Sequence, residues 1–261
     1  MNVISLLSQT NFENLIFFDV GGTKIKAARY VGNAERVLRE VATPNSEDAL
    51  LRTLMDMREE VIEQETVCVL GLPGPICSSI KRPWLPPIRV SVDVEKLYRV
   101  GFEVIVNDMF LHAYIFQSLG RFSDARSRDS ILIYLGTSVG VGLIVRGAIF
   151  SLEIAHLPTR FFEVKKWSNA LTVKDLLCSE AVGCHSNEEI SLRVALFECV
   201  LDFILKLHGL SEIELVIGGG VYKNTKALPF LRALREKISL RTDVSLTEVM
   251  PASTCLSAST I

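Results

Sequence analysis

Polar and apolar positions alternate along this chain with two distinct periods, and the changes between them mark out its elements. Residues 15–20 form an apolar run broken by Asp19, and after Gly21-Gly22-Thr23 the chain continues Lys24-Ile25-Lys26-Ala27, polar and apolar in turn. A period of two is the signature of a strand, so the spacing predicts strand, glycine turn, strand. A helical period predicts a helix over 45–64, with Leu50, Leu51, Leu54, Met55 and Met57 on its apolar side and Ser46 and Glu47 at its start. Residues 67–75 read as a buried strand ending in a Pro/Gly turn. Residues 81–92 read as an ordered loop, because Trp84, Leu85 and Ile88 interleave the prolines. A strand over 104–108 stops at Asn107-Asp108, and an amphipathic helix follows over 109–119.

The opening pattern then recurs. Residues 130–145 are again strand, turn, strand, now around Gly136-Thr137-Ser138. Helical periods over 173–182 and 188–207, a strand over 213–217 running into Gly218-Gly219-Gly220, a helix over 228–238 and a strand over 244–249 complete the chain. Alternating strands and helices predict an α/β fold. The repeated hairpin predicts an internal duplication: two domains with a cleft between them, divided near residue 106. The first would be a small α/β domain over 1–106. The second would be a larger one over 107–261, whose last helix, 252–261, packs back on the first.

Composition narrows the setting. The chain has 261 residues, 49% of them hydrophobic, enough for a large core. Its 28 basic and 30 acidic residues are mixed along the sequence, so neither nucleic acid nor a membrane is an expected partner. Six scattered cysteines predict buried thiols in a reducing compartment. No segment is long and apolar enough for a membrane helix, and the first eighteen residues carry no Lys or Arg, unlike a signal peptide. A cytoplasmic protein is expected.

The glycine turns carry the candidate chemistry. A dinucleotide fold or P-loop would place a helix after the glycines, with phosphate at its N-terminus. Here a strand follows, so phosphate would be held by backbone N–H groups of the turn itself. An ordinary tight hairpin is the competing reading. Asn107-Asp108, at the end of a strand, suits a site at a sheet's carboxyl edge and equally a helix N-cap.

Asp19-x-Gly21-Gly22-Thr23, Asn107-Asp108, Gly136-Thr137, Glu153-x-x-His156 and Gly218-Gly219-Gly220 occur in the order and approximate spacing of the ROK sugar kinases. This glucokinase-like family belongs to the actin-like, ribonuclease H-like ATPase superfamily. The resemblance spans nearly the whole chain. It implies a phosphotransferase with an alcohol acceptor, using ATP and Mg²⁺ to phosphorylate a hexose or related sugar, and a homodimer. Phosphoryl transfer needs an anion cradle, a divalent cation and a base aimed at the attacking hydroxyl. In this reading Asp108 is the catalytic base and Asn107, Glu153 and His156 bind sugar hydroxyls. A helical turn would put Glu153 and His156 on one face. Gly21, Gly22, Thr23, Lys24, Gly136, Thr137, Ser138, Gly218, Gly219 and Gly220 hold the nucleotide, and Asp19 holds Mg²⁺ through water.

The sequence also departs from the family. A zinc motif, C-x-C-G-x-x-G-C-x-E, is replaced by cysteine-free residues 168–175, and Cys178, Cys184 and His185 lack knuckle spacing; no structural zinc is expected. Asp175 stands for the motif's sugar-binding glutamate. The loop over 147–153 is short, and Ser138 replaces an expected glycine. These differences gather at the sugar and γ-phosphate ends of the site. They leave room for two alternatives: a sugar-sensing protein without catalysis, or a kinase of the same superfamily acting on a non-sugar substrate.

Overall fold

A computed structural model describes residues 6–7, 9–32, 34–76, 79–119, 129–162, 171–183 and 186–248. The chain divides into two compact units, Met1–Arg121 and Phe122–Ile261. The division falls later than residue 106 because the helix Asp108–Ser118 packs on the strands of the first unit. The expected last helix, 252–261, lies outside the described residues.

The first unit contains strands β1 (Leu15–Val20), β2 (Lys24–Val31), β3 (Ala34–Ala42), β4 (Val67–Leu72), a short ribbon of β5 (Trp84–Leu85) with β6 (Val90–Ser91), and β7 (Val104–Asn107). Five of them form one sheet in the order β3-β2-β1-β4-β7. The β1–β2 and β2–β3 pairs are antiparallel, and β1–β4 and β4–β7 are parallel. Period-two alternation gives β1 two working faces. Ile16, Phe18 and Val20 join Leu50, Leu54 and Met57 of the helix Glu47–Val61 in one core. Leu15 and Phe17 join Leu111 and Ile115 of the helix Asp108–Ser118 in another. Asp19 therefore continues the face covered by the second helix.

The second unit repeats this plan. Its strands are β8 (Asp129–Leu135), β9 (Val139–Val145), β10 (Ala148–Leu152), β11 (Ile213–Gly218) and β12 (Val244–Glu248), ordered β10-β9-β8-β11-β12. The first two pairings are again antiparallel and the last two parallel. The duplication inferred from two hairpins thus extends to the order and direction of all five strands. On one face, Ile131, Ile133 and Leu135 pack with Phe197, Val200 and Ile204 of the helix Asn187–His208 and with Phe230 and Leu234 of the helix Leu228–Ser239.

Several local expectations are corrected. The first long helix is Glu47–Val61, capped by the Ser46 side chain, which accepts a hydrogen bond from the Ala49 N–H; Met55 on it faces solvent. The periodic stretch from 173 is an α-helix only over Val173–Leu177, since Cys178 is extended, and a short 3-10 helix follows at Ala181–Gly183. Residues 147–153 hold β10 instead of a bare loop. Arg146 and Gly147, both at positive φ, make the two-residue turn that joins it to β9. Strand β3 had no sequence signal, because most of its side chains are exposed and no apolar alternation is imposed on it.

Candidate functional site

In the first unit, the expected residues converge on the carboxyl ends of β1, β4 and β7. Register places Asp19 beside Gly71, Gly71 beside Val106 and Leu72 beside Asn107. The chain then turns directly into the helix Asp108–Ser118. Asn107 is its N-cap: buried, it accepts hydrogen bonds from the N–H groups of Met109 (2.9 Å) and Phe110 (3.3 Å). Its Nδ2 donates to the Gly74 carbonyl at 2.9 Å, which ties the Pro73-Gly74-Pro75 turn to the start of the helix. Asp108, in the first turn, accepts from the Met109 N–H at 2.8 Å.

Gly71 sets how close this helix lies. A Cβ there would stand 2.6 Å from Leu111 Cδ2 and 3.3 Å from Asp108 Cα. Only glycine lets the helix sit so near β4. One turn beyond Asp108, on the same helix face, His112 reaches Asp19: Nε2 is 3.6 Å from Oδ2. Burial works against the charged Asp19, but His112, Lys26 and Lys24 outweigh it and hold the carboxyl below its ordinary range. Burial likewise opposes charge on His112, and Asp19 and then Asp108 raise its affinity for a proton.

The Gly21 turn closes on itself, with the Gly21 N–H donating to Lys24 O at 2.9 Å. Thr43 braces it from the side: its hydroxyl donates to Gly21 O at 2.8 Å and its N–H to Thr23 O at 3.1 Å. Lys24 forms an ion pair with Glu40 across the hairpin. A hydrated Mg²⁺ needs only one or two carboxylates from the protein. Asp19, partly exposed and held in its charged form, fits that requirement.

In the second unit, the Gly136 N–H donates to Ser138 O at 2.9 Å, the counterpart of the Gly21 closure. The three glycines at the end of β11 differ in their reasons. A Cβ at Gly218 would strike the Tyr134 ring at 2.9 Å, and Gly219, at φ +99°, approaches Leu135 O. Gly220 and Gly136 have no such constraint. A Cβ at Gly220 would lie 3.9 Å from Gly136 Cα and 3.8 Å from Ser179 Oγ, and one at Gly136 would meet nothing nearer than Ser138 O at 3.9 Å. These two glycines and Ser179 thus form one cluster, closed by the Ser179 N–H donating to Gly136 O at 2.8 Å.

The expected sugar-binding residues stand differently from the sequence reading. Glu153 and His156 are both exposed, but they lie in a turn after β10 instead of a helix, with buried Ile154 and Ala155 between them. Asp175 completes a capping box: its Oδ2 accepts from the Thr172 N–H and from the Thr172 hydroxyl, both at 2.8 Å. Those bonds, helped by nearby Lys174 and His156, hold the Asp175 carboxyl below its usual range. The N–H groups of Val173 and Lys174 donate to Leu157 O and Ala155 O, which brings His156 alongside Asp175. Cys178 is a free thiol, and Cys184 and His185 lie outside the described residues.

No protein-family profile and no curated protein matches the sequence. Solved structures do. A ROK family glucokinase from Streptomyces griseus, solved with glucose and AMPPNP, aligns with a TM-score of 0.63 at 19% identity, covering 90% of this chain and 93% of that one. This is the ROK kinase fold. An inorganic polyphosphate/ATP-glucomannokinase from an Arthrobacter strain shares it (TM-score 0.61, 20% identity, 90% and 91% covered). So does a ROK family transcriptional regulator, a homologue of the E. coli MLC protein (TM-score 0.59, 17% identity), of which the alignment covers 75%. The two like-ordered sheets belong to this shared fold. Three contributors escaped the sequence reading: Gly71, His112 and Ser179. Only His112 had a local signal, its four-residue spacing from Asp108.

Proposed function

We propose that this protein is an ATP- and Mg²⁺-dependent kinase for a hexose or related sugar. One observation carries the reading. Asp19 lies near the end of β1 and Asp108 directly follows β7, the two strands that flank β4, and Gly71 of β4, by its missing side chain, admits the Asp108 helix. One carboxylate is held charged, as a cation ligand must be, and the other opens a helix at the sheet's carboxyl edge, where α/β folds bind ligands.

The residues then take separate roles. Asp19 would hold Mg²⁺, which neutralises charge on the transferred phosphoryl group. Asp108 would accept the proton of the attacking hydroxyl. The 21–23 and 136–138 turns would cradle phosphates with backbone N–H groups and the hydroxyls of Thr23, Thr137 and Ser138. Gly136 and Gly220 support this assignment, since neither packing nor positive φ accounts for them. The nucleoside would lie against Gly219 and Gly220, and the sugar against Asn107, Glu153, His156 and Asp175. Glu153 and His156, both exposed, would contribute to choosing the sugar. A cytoplasmic homodimer accompanies this reading.

A coupled assay of ADP release over hexoses, N-acetylhexosamines and fructose tests it. Sugar-dependent release supports the kinase. A second reading, sugar binding without catalysis, draws on the pairing of Asp19 with His112, and saturable sugar binding with no ADP release would favour it.

A further inference from the structure

The helix Asn187–His208 carries one charged residue in its buried stripe. Arg193 lies between Ile190, Val194 and Phe197, all in the core of the second unit. Burying a guanidinium costs several kcal/mol unless it is well bonded, and an aliphatic side chain would pack there more cheaply. Burial does pull Arg193 towards neutrality, with Glu189 and Cys178 opposing. What the guanidinium reaches is specific: Nη1 donates to the carbonyl of Leu176, at the end of the helix Val173–Leu177.

Three residues later comes Ser179, whose N–H closes the Gly136 turn. A second side chain holds this segment from another direction. Asn224 Nδ2 donates to Ser179 O at 2.6 Å, while its Oδ1 accepts from the Lys226 N–H at 3.1 Å. Asn224 also packs on Gly183, where a Cβ would stand 2.7 Å from Nδ2. Segment 176–183 is therefore gripped at two carbonyls, one before and one at the residue that bonds Gly136.

We infer that Arg193 and Asn224 are positioning residues for nucleotide binding: they hold segment 176–183 so that Ser179 fixes the Gly136 turn, and neither touches the nucleotide. The inference rests on the kinase reading. The turn at Cys178–Glu180 links a helix end to a short 3-10 helix, Ala181–Gly183, and drift of Ser179 within it would release the Gly136 carbonyl and reorient the Gly136 turn's N–H groups. Arg193 acts through Leu176, and Asn224 through Ser179.

The test uses the full chain with three variants: Arg193→Met, Arg193→Lys and Asn224→Asp. Asn224→Asp keeps the size and the Oδ1 acceptor but turns a donor into an acceptor against Ser179 O, so it guards against a simple folding failure of Arg193→Met. Calorimetric binding of Mg·ADP is measured beside the KM for ATP and for the sugar. Loss of the Arg193 bond to Leu176 O, and an acceptor set against Ser179 O in Asn224→Asp, each predict Mg·ADP affinity about tenfold weaker, with the KM for ATP rising in parallel and the KM for sugar unmoved. Arg193→Lys should recover most of the loss. Unchanged Mg·ADP affinity in folded Asn224→Asp, or equal changes in both KM values, would overturn the inference. Wild-type protein that binds Mg·ADP yet phosphorylates no sugar would overturn the kinase reading and leave the binding comparison intact.

Discussion

His112 Nε2 stands 3.6 Å from Asp19 Oδ2, joining the helix that begins at Asp108 to the end of the first strand. The two groups shift each other in opposite directions: Asp19 is pulled below and His112 pushed above its ordinary value. The lowered Asp19 stabilises the fold fully above its unfolded value of about 3.9 and loses that contribution as pH falls through its folded value. The raised His112 stabilises fully below about 6.5 and loses its share as pH rises through its folded value. In metal-free protein, the gap in melting temperature between wild type and His112→Asn should be widest between about pH 4 and 6.5 and should narrow toward pH 9. A gap that stays constant across that range would mean His112 acts through packing alone.

Asp108 makes a sharper prediction. Asp108→Asn keeps the size and first-turn position of the side chain but cannot accept a proton. Turnover should fall by roughly 10²–10⁴-fold while sugar affinity, read by calorimetry, stays within a factor of about three. Wild-type turnover in this variant would move the base elsewhere.

Gly71 couples stability to the site. Gly71→Val places atoms inside contact distance of Leu111 and against the Asp108 backbone. Overpacking of this kind costs about 1–3 kcal/mol, and denaturant unfolding should show it. Because Leu111 Cδ2 is the nearest obstacle at 2.6 Å, adding Leu111→Ala should make the double variant less destabilised than the sum of the two singles. Strict additivity would place the clash with the Asp108 backbone instead.

Two glycines separate packing from binding. Gly218→Ala drives a methyl against the Tyr134 ring at 2.9 Å, so it should lower stability by about 1 kcal/mol or more. Gly136→Ala meets nothing within 3.9 Å, so its stability should stay within about 0.5 kcal/mol of wild type while the KM for ATP rises. A stable Gly136→Ala protein with unaltered KM would remove the turn from the nucleotide site.

Much of this is legible in the sequence. Period-two alternation around Gly21 and Gly136 identified both hairpins, because a half-buried strand writes its geometry into every second residue. Capping chemistry likewise marked Ser46 and Asn107. Strand β3 and the true extent of the Val173–Leu177 helix were invisible for the converse reason: an exposed edge strand imposes no apolar pattern, and a five-residue helix is too short to show a period. The partnerships that matter most are between residues far apart in the chain. Asp19 meets His112 only because β1, β4 and β7 pair in one register and Gly71 admits the helix. Ser179 reaches Gly136 only because segment 176–183 is gripped from two other elements. Local pattern specifies which residues form strands, turns and caps, since those depend on neighbours a few positions away. Which carboxylate gains a histidine partner, and which glycine is spared for a ligand, depended on packing between elements that no local pattern records.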